Sequence, residues 1–196
     1  MSASKTTRAY AKKIPLVVKA HNPLRPKHEG LKAPFFIDPR GVKWNIWRRD
    51  LLRVLGKIPP AGTCPGEWDA LKHPFAETEI FVGFRQRFLE GLSWEDTAYY
   101  QFLLDGHLPE RVRGFGGAME MLRHYEEVYM DIKKSGYDAD KGAPITVNGG
   151  RGSALIRLDG AHRLAIASLL GVDRVLVRYH LIHPEHKNAQ SRLDPN

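Results

Sequence analysis

Along the last third of the chain, hydrophobic and polar positions alternate and then change period. APITVNGG (143–150) and SALIRLDG (153–160) read as two strands joined by the Gly-rich turn NGGRG, and DRVLVRYHLI (173–182) reads as a third. Between the last two, Ala161, Leu164, Ala165, Ser168 and Leu169 recur at helical spacing, and Gly171 supplies a stop. The predicted order is strand, turn, strand, helix, strand. Upstream, three stretches carry the helical period. AETEIFVGFRQRFLEG puts Ile80, Phe84, Phe88 and Leu89 on one face. SWEDTAYYQFLLDG opens on Ser93 with an acidic first turn, and GGAMEMLRHYEEVYMDIKKSG repeats Met121, Leu122, Tyr125, Val128, Tyr129 and Ile132 before Lys133, Lys134 and Gly136. These aromatic stripes are predicted to be core. Residues 35–75 mix short apolar pieces with Pro and Gly, which predicts two short strands or a strand and a helix, then a long loop around TCPGEWD. Residues 1–34 carry four prolines and little period, so at most IPLVVKA is expected to be a strand there.

Charge sharpens this division. Residues 1–28 hold seven Lys and Arg and no Asp or Glu, while the rest of the chain has 23 basic and 22 acidic residues. Such an arm suits phosphate-like contacts with nucleic acid, anionic lipid or another polyanion; a solvated, solubilising tail, with no aromatic cluster beyond Tyr10, is the plainer account of its composition. With 196 residues, 42% hydrophobic, the chain can bury one substantial core, and no apolar run approaches the roughly 20 residues of a membrane span. The single cysteine, Cys64, excludes an intrachain disulfide framework, and together these features predict a cytoplasmic protein.

The chemistry concentrates at LDGAHRLA. A helix beginning just after Gly160 directs unpaired backbone N–H groups and the positive end of its dipole outward. Gly160 lets a phosphate approach the backbone, Ala161 adds its amide, and His162 and Arg163 add side-chain donors. Arg163 is a cation in a first helical turn, where the dipole disfavours it, and an anionic ligand would relieve that penalty. Pairing of Arg163 with Asp159, and a structural His162, would explain the same string without a ligand.

Residues 144–179, PITVNGGRGSALIRLDGAHRLAIASLLGVDRVLVRY, resemble the C-terminal half of the ParB and sulfiredoxin-like superfamily, whose G-x-H-R or G-E-R-R turn at a helix N-terminus holds nucleotide phosphates. The resemblance spans under a quarter of the chain. It implies an α/β (α+β) fold with a small mixed sheet: a basic arm over 1–34, one domain over 35–183 with a helical insertion at about 77–135, and a tail over 184–196. Ala161 stands where sulfiredoxins carry their nucleophilic cysteine, and a methyl group cannot attack sulfur, so the chain is not a sulfiredoxin. The D-G-x-H-R form is similar to that of small-molecule and amino-acid kinases within the superfamily. PGEWD, RFLEG and SWEDTAYY, in that order, resemble a signature of ParB-like proteins, some encoded near surface-polysaccharide genes. The resemblance thus implies a nucleotide-dependent kinase with ATP or another nucleotide, Mg2+, and a hydroxyl-bearing small molecule or saccharide as acceptor.

Such chemistry needs carboxylates to orient the acceptor and hold magnesium. Glu67 and Asp69 of PGEWD, Glu77 and Glu79, and Asp159 are the candidates. Glu67, Asp69 and Asp159 are expected to be catalytic, with Asp69 and Asp159 on the metal; turn capping and solvation is the bland account of Glu67 and Asp69. The alternative function is a non-catalytic nucleotide-binding module that touches nucleic acid through its arm. His180, His183 and His186 form H-x-x-H-x-x-H, but Pro184 breaks any shared face. GFGG (114–117) lacks the Lys and Ser/Thr of a P-loop and reads as a linker.

Overall fold

Five residues, Gly150 to Ala154, turn the chain back on itself, and the hairpin they close organises the sheet. In the computed structural model, which describes residues 33–106, 112 and 114–187, β5 (Ile145–Gly149) and β6 (Leu155–Asp159) pair antiparallel. A bulge between Thr146 and Val147 brings Asp159 opposite Thr146 and Arg157 opposite Val147. The long strand β7 (Val175–Ile182) runs parallel to β5 on the other side.

Short strands extend this centre. β1 (Phe35–Ile37) pairs antiparallel with the first half of β7, and β3 (Gly62–Thr63) parallel with its end. β2 (Trp44–Asn45) lies parallel to β6, and β4 (His73–Pro74) antiparallel to β2. The order is β1-β7-β5-β6-β2-β4 with β3 beside β7, a mixed sheet in a mixed α/β architecture.

Five α-helices occur among the described residues: α1 (Arg48–Leu55), α2 (Glu79–Phe88), α3 (Ala98–Leu104), α4 (Ala118–Ser135) and α5 (Ala161–Leu169). Three of them fall where the period predicts helices upstream of the hairpin. α2 starts at Glu79, after a 3-10 turn over Phe75–Glu77, because Thr78 is its N-cap and accepts from the Phe81 amide. The expected loop around PGEWD is broken by β3 and by a 3-10 turn over Trp68–Leu71. The arm, with its expected strand and polyanion contacts at 1–28, and the end of the tail lie outside the described residues. No helix among the described residues is long and apolar enough to cross a membrane.

Two buried clusters flank the sheet. The larger joins Val147, Val175 and Val177 to Leu164 and Ile166 of α5 and to Phe84, Tyr99 and Leu122 of α2, α3 and α4. The smaller gathers Ile46, Leu51, Trp68, Ile156 and Leu181. Gly83 sets how closely α2 and α3 approach: a Cβ there would lie 2.3 Å from Tyr99 Cβ. This contact holds Tyr99, 1% exposed, beside His162 in the first turn of α5.

Candidate functional site

Gly160 ends β6 in the left-handed region (φ 81°, ψ 28°) and caps α5, a conformation that costs glycine little. A Cβ at this position would also meet Ile145 Cγ1 at 3.2 Å. The chain can therefore turn from strand to helix within one residue, leaving the first amides of α5 at the mouth of a cleft of about 760 Å³. Asp159, Gly160, Ala161, His162 and Arg163 all line it. The Gly160–Arg163 turn predicted from LDGAHR and the candidate Asp159 before it thus share one surface.

The rest of the lining comes from distant segments: Arg48 at the start of α1, the Ile58-Pro59-Pro60 loop, Tyr99, Tyr125, Thr146, Arg157, Arg178 and His180. Four arginines and two histidines thus face a single carboxylate, Asp159, among the described lining residues. On β7, buried and half-buried residues alternate, and Arg178 and His180 occupy the half-buried positions that face the cleft.

Arg157 is the most buried of the four arginines, 6% exposed. Its Nη1 donates to the Leu158 carbonyl and its Nη2 to Asn45 Oδ1, while its Nε has no hydrogen-bond partner among the described residues. Asn45 is held in turn by its Nδ2, 2.6 Å from His73 Nε2. Burial lowers the Arg157 pKa to about 10, against the opposing charge of Asp159, so the guanidinium stays charged at neutral pH. A buried cation with an idle N–H is costly unless an acceptor reaches it.

His162 is held as a rigid ring. Its Nε2 lies 2.7 Å from Tyr99 Oη, and it stacks on Tyr125 at 3.9 Å and 16°. Burial, chiefly, pushes the Tyr99 hydroxyl well above its ordinary range, so it stays protonated. Arg163 donates from Nη1 to the Ala143 carbonyl, just before β5, and so ties the helix start to the strand beside it. Both side chains therefore have internal partners as well as a place on the cleft wall.

Glu67 and Asp69 are not brought to this turn, a correction to their expected catalytic and metal-binding roles. Asp69 is 1% exposed and accepts from the Arg151 amide at 2.8 Å, Nε at 3.1 Å and Nη2 at 2.8 Å. Glu67 holds the other face of the same guanidinium, at 3.0 and 2.6 Å. Arg151 sits in the β5–β6 turn, at the opposite end of the hairpin from Asp159. Four steps along the strand separate Leu155 from Asp159, roughly 13 Å. The acid-Trp-acid string folds as a 3-10 turn because Trp68 is buried, its indole N–H donating to the Cys64 carbonyl at 2.9 Å, which turns both acids towards the hairpin turn. Asp69 and Asp159 therefore cannot share one metal ion in this arrangement.

Other sequence candidates take separate places. Glu77 and Glu79 sit at the start of α2, outside the cleft lining, although the charge of Glu79 bears on Tyr99. His183 Nδ1 accepts from the Glu185 amide, His186 bridges the Gly150 carbonyl at 2.8 Å and Tyr179 Oη at 3.0 Å, and His180 alone of the three lines the cleft. No group of three or more metal-ligating side chains occurs among the described residues. Cys64 is buried, and burial raises its thiol pKa, which disfavours the thiolate form. Gly117, the last residue of GFGG, precedes α4.

Arg48, Arg157, Arg178 and Tyr99 escape the motif reading. The visible signal for Arg157 is a charged residue between apolar neighbours in LIRLD, a position where a strand buries its side chain. Comparison with protein-family models, curated proteins and solved structures finds no match for this chain.

Proposed function

We propose that the cleft holds the phosphates of a nucleotide and that the chain is a nucleotide-dependent phosphotransferase acting on a hydroxyl-bearing small molecule or saccharide. The observation that carries this reading is Arg157: a buried, charged guanidinium whose Nε has no partner among the described residues, beside the dipole-positive start of a helix. Phosphate oxygens would accept from the first amides of α5, from Arg157 and from Arg163. The ParB/sulfiredoxin-like resemblance of residues 144–179 points to the same turn.

Asp159 is the carboxylate positioned for chemistry. It would accept the proton of the acceptor hydroxyl, or serve as the one protein ligand to Mg2+ beside the phosphates; magnesium at such sites is held by one or two carboxylates plus phosphate oxygens. When bound, the ion neutralises charge on the transferring phosphoryl group. The described lining fits a magnesium ion carried in by the nucleotide rather than one held by a protein cage.

The single carboxylate also supports the second reading, a nucleotide-binding module without turnover, whose basic arm over 1–28 contacts nucleic acid. Calorimetry with ADP, ATP and CTP in the presence of magnesium, followed by product analysis of saccharide and small-molecule mixtures, tests both. Arg157→Met should abolish nucleotide binding, and Asp159→Asn should spare binding but remove turnover. Absence of binding by all three nucleotides refutes the reading. Binding without product, together with salt-dependent nucleic-acid retention lost on deleting 1–28, favours the module.

A further inference from the structure

The cations of the cleft fall into two groups. Arg157 and Arg163 belong to the helix end, with Asp159 as the opposing charge felt by Arg157. Arg48, Arg178 and His180 form the other group, against the Ile58-Pro59-Pro60 wall, and both arginines lie close enough to bear on the His180 ring.

This second group has almost no internal partners. The Arg48 side chain makes no hydrogen bond or ion pair with any described residue, and the Arg178 side chain makes one long contact, Nε to Thr146 Oγ1 at 3.4 Å. His180 Nε2 is buried and lacks a hydrogen-bond partner among the described residues. Burial lowers the His180 pKa, with Arg48 and Arg178 adding to the shift and the Pro59 backbone opposing it, so the ring enters neutral and has a proton to gain. Converging cations with no carboxylate paired to them among the described residues repel one another, and a neutral acceptor would leave that repulsion in place.

We propose that Arg48, Arg178 and His180 form a second anion subsite, and that the acceptor is a hydroxyl compound already carrying a phosphate monoester. This rests on the phosphotransferase reading for the word acceptor, but the subsite itself stands on its own residues. Three donors around one group match the three terminal oxygens of a phosphate monoester better than the two of a carboxylate. The apolar Ile58-Pro59-Pro60 wall would cover the carbon skeleton between the two anion positions.

The test uses the full chain, saturated with ADP and magnesium, titrated by calorimetry with glycerol 3-phosphate and, in parallel, glycerol. Glycerol 3-phosphate should bind and glycerol should not. Arg48→Ala should weaken that binding about tenfold or more while the ADP affinity stays within about twofold. Arg48 is exposed, so its replacement leaves the core intact, and a melting curve matching wild type verifies this. Unchanged glycerol 3-phosphate affinity in Arg48→Ala overturns the proposal, as does competition between glycerol 3-phosphate and ADP, which would put both phosphates on the one turn. If ADP does not bind but glycerol 3-phosphate does, and depends on Arg48, the subsite stands and the nucleotide reading falls.

Discussion

Exchanging Asp69 for Asn separates a structural carboxylate from a catalytic one. Asn keeps the shape but replaces one acceptor oxygen with an NH2 donor. In the native structure both oxygens of Asp69 face donors: Oδ2 the Arg151 amide, and Oδ1 Arg151 Nε and Nη2. One of these contacts would become donor against donor, at a position 1% exposed. Charge-assisted bonds contribute about 1.5–3 kcal/mol each and are not additive, and breaking a buried pair costs about 3–5 kcal/mol. Because the Arg151 side chain is itself 35% exposed and water can take over part of its charge, the lower end applies: about 3 kcal/mol. For a chain of this size that lowers Tm by about 9 °C. Glu67→Gln makes the control, since its side chain is 76% exposed and its pair is worth at most about 1 kcal/mol.

Asp69 also carries a pH signature. Burial raises its pKa, but the side-chain and backbone hydrogen bonds of Arg151, its charge and that of His183 outweigh this, leaving it below 3.8. A depressed folded pKa stabilises above the unfolded value and is lost as pH falls through the folded one. Thermal melts of wild type and Asp69→Asn should therefore differ most at neutral pH and converge below pH 3.8. Nucleotide binding by folded Asp69→Asn should match wild type. A variant that melts like wild type but loses binding would refute the structural assignment and return Asp69 to the chemistry.

Packing and the titrating groups set three further outcomes. Gly83→Ala puts a methyl group 2.3 Å from Tyr99 Cβ, and overpacking of about 3 kcal/mol, offset by about 1 kcal/mol of helix propensity, should leave a net loss of about 2 kcal/mol in urea unfolding. His180 and His186 both have pKa values lowered chiefly by burial, so the unfolded chain binds more protons as pH drops below 6.5; Tm should fall between about pH 7.5 and 5.5, and less so in His186→Phe. Tyr99→Phe keeps the ring but removes the partner of His162 Nε2, which should cost about 1 kcal/mol in urea unfolding and weaken nucleotide affinity a few-fold by calorimetry.

What could be read from the chain depended on how far each signal reaches. The β5–β6 hairpin, α5 and β7 were legible because alternation, a Gly-rich turn and a 3.6-residue period all lie within short windows. The two-residue strands β2, β3 and β4 carry no period at all, and their existence depends on edges supplied by β6, β7 and β2. The Gly160–Arg163 turn was legible from helix-end electrostatics. The remaining cleft residues were not, because Arg48, Tyr99 and Arg178 lie far apart in sequence and meet only through sheet register and the α2–α3 contact. The acids of PGEWD were misplaced for the complementary reason: their composition suggests chemistry, but burial of Trp68 decides where they point.

The hairpin has two ends with different duties. At its turn, Arg151 is locked by two carboxylates, and the segment after β7 is fastened on by the His183 amide to the Gly149 carbonyl and the Lys187 amide to the Gly152 carbonyl. At its open end, the strands diverge into Gly160 and the cleft. Changes at sites this far apart act nearly independently on stability. Changes to cleft side chains therefore carry their own cost without loosening the knot at the turn, which makes this a scaffold whose ligand preference can drift, or be redesigned, while the sheet stays in register.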